Sequence, residues 1–110
     1  MNCIVYTIEE VQMGKNLSEC LRILEKNKSH MRTNYHIESL AIFGSVARRQ
    51  NHRSSDVDIL VRFSLLPSFF ELAHIENFLR KELRMKIDLI IENGVDKSFL
   101  NRISNDLIYV

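Results

Sequence analysis

Two short apolar runs frame the most constraining stretch of this chain. The first, Ser39 to Phe43, stops at Gly44-Ser45, and the second opens on Asp56-Val57-Asp58 and continues to Phe63. Ten residues separate Ser45 from Asp56. Side chains along a strand alternate faces, so Asp56 and Asp58 share one, their Cα atoms about 6.6 Å apart at ~3.3 Å rise per residue. Two carboxylates so placed repel and resist ionising together unless a cation joins them. They can converge on one Mg²⁺ or bridge two ions about 3.5–4 Å apart. Gly44 allows a backbone conformation and a close approach that a side chain would hinder. A helix starting right after it would offer free N–H groups to a phosphate, with the Ser45 hydroxyl as a further donor. Arg48 and Arg49 lie one helical turn on, where a guanidinium neutralises phosphate charge. The stretch therefore predicts a metal site built around a nucleotide phosphate.

The remainder of the chain supplies a frame for that site. With 110 residues it is read as one domain with a single hydrophobic core, residues 1–15 forming an N-terminal extension. A hydrophobic share of 45% against 26% charged residues is that of an ordinary globular protein. A net charge of +1 gives no global electrostatic reason to bind nucleic acid, and no direct nucleic-acid binding is expected. Cys3 and Cys20 lack any metal-ligand spacing and read as buried or neutral thiols in a reducing cytosol. No apolar run approaches the ~20 residues of a membrane span, and the start lacks a basic signal-peptide region, so a cytoplasmic protein is expected.

Periodicity gives the elements. Cys3 to Ile8 reads as a short strand, or Thr7-Ile8-Glu9-Glu10 as a capping box opening a helix. Leu17, Cys20, Leu21, Leu24 and Met31 keep helical spacing. Asp56 to Phe63 is the clearest strand, with Val57, Ile59, Val61 and Phe63 on one face and Asp56, Asp58, Leu60 and Arg62 on the other. Pro67-Ser68 opens a helix over about 69–83, with Phe70, Ala73, Phe78 and Leu79 as inward candidates. Lys86 to Glu92 is a third strand, its Ile87, Leu89 and Ile91 toward the core and Asp88 on the polar face, ended by Asn93-Gly94. A last helix covers about 98–105, and Leu107 to Val110 is a candidate edge strand. The order helix, strand, strand, helix, strand, helix predicts an α/β (α+β) domain, a small mixed sheet flanked by helices. On it, Asp88 would complete a three-carboxylate cluster with Asp56 and Asp58.

Gly44-Ser45-x10-Asp56-x-Asp58, with Ala47-Arg48 behind the serine and Ser55 before the first aspartate, resembles the minimal nucleotidyltransferases of the DNA polymerase β superfamily. Ile87-Asp88-Leu89-Ile90 is similar to the strand that carries that family's third carboxylate. The similarity covers about residues 17–110 and departs at Arg49, where the family usually has Gly. It implies a nucleotidyltransferase fold, Asp56 and Asp58 as Mg²⁺ ligands, Asp88 as third ligand and base, two Mg²⁺ ions, and Ser45 on the phosphates of ATP. Small members of this kind are antitoxins that pair with a HEPN-domain RNase toxin and inactivate it by transferring AMP to a tyrosine. A homodimer or a hetero-oligomer with the toxin is compatible with that role.

Two other functions compete. A non-catalytic antitoxin would neutralise its partner by covering it, but such a binder has no need of clustered carboxylates. An aminoglycoside nucleotidyltransferase would be expected to carry an acidic drug-binding domain. Among the remaining polar residues, Arg49, His52 and Arg53 read as a solvated loop, Arg62 as an ion-pair partner of the carboxylates, and His30, His36 and His74 as too scattered for a metal set. Phe69, Phe70 and Phe78 read as core.

Overall fold

The strand read from Asp56 onward is the spine of the molecule. A computed structural model describes residues 16–50 and 56–110. In chain order its elements are α1 (Leu17–Lys26), α2 (Lys28–Tyr35), β1 (Ile37–Phe43), the single-turn α3 (Gly44–Ala47), β2 (Val57–Phe63), α4 (Phe69–Leu83), β3 (Ile87–Ile91), a 3₁₀ turn (Glu92–Gly94), α5 (Lys97–Ile103) and β4 (Ile108–Tyr109). The four strands form one mixed sheet in the order β3-β2-β1-β4. β1 runs antiparallel to β2 and to β4, while β2 and β3 are parallel and joined through α4. This is the small mixed sheet flanked by helices that the pattern of elements predicts. The readings made on residues 1–15 and on the loop at 51–55, which holds His52 and Arg53, lie outside the described residues.

One face of the sheet meets the helices. Val57, Ile59, Val61 and Phe63 are buried there with Ile37, Leu40 and Ile42 of β1, against Leu17, Cys20, Ile23 and Leu24 of α1, Met31 of α2, and Ile75, Leu79 and Leu83 of α4. Each fully buried aliphatic side chain of this set contributes on the order of 1.5–3 kcal/mol. The opposite face is less open than alternation predicts, since Leu60 and Ala41 on it are also buried.

Three local details differ from the sequence reading. The first helix does not continue from Leu17 through Met31. Asn27 divides it, and its side-chain amide donates to the Ile23 carbonyl (2.9 Å) and to Glu82 Oε1 on α4 (3.0 Å). An Asn side chain that bonds its own helix competes with the next turn. The inward stripe of α4 is Ile75, Leu79 and Leu83, whereas Phe70 and Ala73 point to solvent, and Phe69 is 80% and Phe70 83% exposed. Both sit in the first turn, which is held by a capping box in which Ser68 and Glu71 exchange hydrogen bonds of 3.0 and 3.2 Å. Phe78 is half-buried at the edge of the core and packs on His30 and Tyr35. Finally, Arg62 pairs with Glu38 (3.1 Å) and Glu92 (3.8 Å), not with the aspartates.

Candidate active site

β1 ends where β2 begins, and that places the polar residues. Phe43 is the cross-strand neighbour of Asp58, so the chain turns at Gly44 directly over the Asp58 side chain. On the other side, β3 runs in parallel register with Asp58 beside Asp88. Residues paired this way point to the same face, on strands ~4.8 Å apart. Two of the three sequence-predicted carboxylates are thereby brought together. Asp56 precedes β2 on the exposed rim, close enough for its charge to act on Asp58.

Gly44 meets two demands at once. Its φ of +76° lies in the left-handed region, and a Cβ at this position would overlap the Asp58 carboxylate. Ser45 follows in the first turn of α3, half-buried, and its carbonyl accepts the Gln50 N–H at 2.8 Å. Arg48 closes the turn through its N–H to the Gly44 carbonyl (3.0 Å), and Arg49 donates to Val46 (3.1 Å). Arg49, the departure from the family's Gly, adopts φ +59°, so an Arg occupies a backbone position that favours glycine.

The electrostatics follow from this packing. Partial burial pushes the Asp58 carboxyl up to about 6, helped by the Asp88 charge, a hydrogen bond between the two carboxyls and the Asp56 charge, while Arg48 pulls it down. Carboxylates crowded in this way resist ionising together unless a cation joins them. Among the described residues no three His, Cys, Asp or Glu side chains converge into a ready-made cage. A pair of carboxylates open to solvent suits a hard, oxygen-seeking cation that takes its other ligands from water and a substrate phosphate, as Mg²⁺ does.

One residue at the site has no signal in the sequence. Arg48 Nη1 lies 2.6 Å from Asp106 Oδ2, across 58 positions of chain, and Arg48 Nε donates to Gln50 Oε1 at 3.2 Å. Asp106 stands between α5 and β4, and α5 is fixed to the end of β1 by Phe99, whose ring meets Phe43 edge-on at 6.0 Å. No spacing rule links Arg48 to Asp106.

A mixed sheet of this order, with a Gly-Ser turn and paired carboxylates at one end, defines a small α/β domain suited to phosphoryl-type transfer. Residues 25–110 match the family described as polymerase beta, nucleotidyltransferase. A Methanocaldococcus jannaschii protein, provisionally named a protein adenylyltransferase, is 39% identical over 97 residues, which cover 87% of this chain and 99% of the relative. Among solved structures, a provisionally assigned minimal nucleotidyltransferase has a TM-score of 0.71 at 24% identity, covering 86% of this chain and 95% of that one. A chain from a complex of a tri-AMPylated Shewanella oneidensis HEPN toxin with MNT antitoxin has a TM-score of 0.55 at 13% identity, covering 93% and 71%. The chain belongs to the polymerase β-type nucleotidyltransferase family.

Proposed function

We propose that this protein transfers AMP from ATP to a tyrosine of a HEPN-type RNase and so acts as that toxin's antitoxin, in the cytoplasm and with Mg²⁺. The observation that carries the proposal is the side-by-side register of Asp58 and Asp88 under the Gly44-Ser45 turn. The adenylyl donor is supported by the name of the relative at 39% identity, and the partner by the fold shared with the HEPN–MNT complex.

Each residue then has a role. The Gly44-Ser45 turn takes the nucleotide phosphates through backbone N–H groups and the Ser45 hydroxyl. Asp56, Asp58 and Asp88 hold the metal, which when bound polarises the phosphate and stabilises the leaving pyrophosphate. The acceptor hydroxyl forms an O–P bond to the α-phosphorus as the bond to the β-phosphate oxygen breaks. Asp88, the more exposed of the paired carboxylates, takes the hydroxyl proton. The partner docks as a surface and presents its hydroxyl in line, which supplies the orientation. The added AMP places a bulky anion where the RNase must bind a phosphodiester.

The test is to incubate the protein with labelled ATP, Mg²⁺ and a HEPN-type RNase from the same genome, then locate the label by mass spectrometry. AMP on a partner tyrosine, lost in Asp56→Asn and Asp58→Asn, is the expected result. If wild type and the doubly substituted protein silence the RNase equally well without label transfer, the protein acts by covering its partner and the catalytic reading fails.

A further inference from the structure

The Arg48 guanidinium is held from outside its own turn. Its Nη1 lies 2.6 Å from the Asp106 carboxylate and its Nε reaches Gln50, so two of the five N–H donors of an Arg are engaged among the described residues. The same charge reaches Asp58. Asp106 itself is placed rather than loose. Its N–H donates to the Ile103 carbonyl at 2.9 Å, closing the end of α5, and its side chain is the less exposed partner of the ion pair. α5 in turn is seated on the end of β1 by the Phe43–Phe99 contact, one residue before Gly44. The segment after α5 is thus braced against the turn that faces the carboxylates.

We propose that Asp106 is a positioning residue of the nucleotide site: it fixes the Arg48 guanidinium beside the Gly44-Ser45 turn and leaves the remaining donors directed to a triphosphate. This rests on the nucleotidyl-transfer reading above. A guanidinium held in one orientation loses less freedom when it forms bidentate bonds to a phosphate than one swinging on a free side chain. An exposed ion pair contributes little to stability by itself, so the effect belongs to binding and not to folding.

The sign of the effect separates this from simple electrostatics. Asp106→Asn removes a negative charge near an anion site, which on charge alone would tighten ATP binding. Positioning requires the opposite. Titration of the full chain with a non-hydrolysable ATP analogue and Mg²⁺ is expected to show roughly tenfold weaker binding for Asp106→Asn. KM for ATP should rise to match, with kcat within about threefold and an unchanged melting temperature. Asp106→Glu should recover part of the loss. In an Arg48→Gln background, Asp106→Asn should have no further effect, because the two residues act as one unit. Arg62→Gln, which breaks a similarly exposed ion pair away from the turn, should change neither constant. Unchanged or tighter binding in Asp106→Asn overturns the proposal, as do losses that add in the double variant or a fall in melting temperature and kcat at constant KM. A wild-type protein that binds no analogue overturns the nucleotidyl-transfer reading as well.

Discussion

Asp58→Asn should make the metal-free protein more stable at pH 8 and leave its stability unchanged at pH 4. The Asp58 carboxyl is raised from 3.8 to about 6, first by burial and then by Asp88 and Asp56. A folded-state value above the unfolded one means that the folded chain holds its proton more tightly. The resulting stability is present in full below about pH 4 and is lost as pH rises through about 6. The rise corresponds to roughly 3 kcal/mol at ~1.4 kcal/mol per pH unit. Because the side chain is only partly buried, solvent screening reduces this to about 1–1.5 kcal/mol. An amide keeps the shape of the carboxylate over Gly44 and can donate to Asp88, so the variant removes the penalty without opening a gap. For a domain of this size the gain equals about 4–6 °C in melting temperature. Thermal melts of both proteins in EDTA at pH 4 and pH 8 measure it. A variant less stable than wild type at pH 8, or a gain equal at both values, would refute the account of Asp58 as a half-buried member of a carboxyl pair.

The backbone of the turn gives two more expectations. Gly44→Ala forces a Cβ into the Asp58 carboxylate at φ +76° and should cost ~2–3 kcal/mol in urea denaturation, less in an Asp58→Ala background where the overlapping atoms are gone. Arg49→Gly relieves an Arg at φ +59° and should stabilise the protein by about 0.5–1 kcal/mol, seen as a higher urea midpoint at constant m. A lower midpoint would mean that the Arg49 side chain makes a contact outweighing its backbone strain.

The parts of this molecule that could be read from sequence are those fixed by local periodicity. β2 was legible because strict alternation of Val57, Ile59, Val61 and Phe63 cannot be packed any other way, and the register Asp58 to Asp88 follows once two parallel strands each carry an aspartate beside an apolar residue. The bounds of α4 were legible from Pro67-Ser68, but its phase was not. Phe70 and Ala73 draw the inward stripe toward the aromatic first turn, whereas Ile75, Leu79 and Leu83 at i, i+4, i+8 face the core. Size misled there, because a large apolar side chain at a helix start can remain in solvent when the turn is held by its cap. Asn27 was missed for a related reason: its side-chain bonds end a turn within a run whose apolar spacing continues through it. The site divides in the same way. Gly44, Ser45, Asp56 and Asp58 lie within one strand–turn–strand unit and declare themselves by spacing. The Arg48–Asp106 pair depends on where α5 is seated, which is set by the Phe43–Phe99 contact between elements far apart in the chain. A charge that acts through tertiary placement leaves no period to read, so the Asp106 partner of Arg48 is found only after the helix that precedes it has been docked.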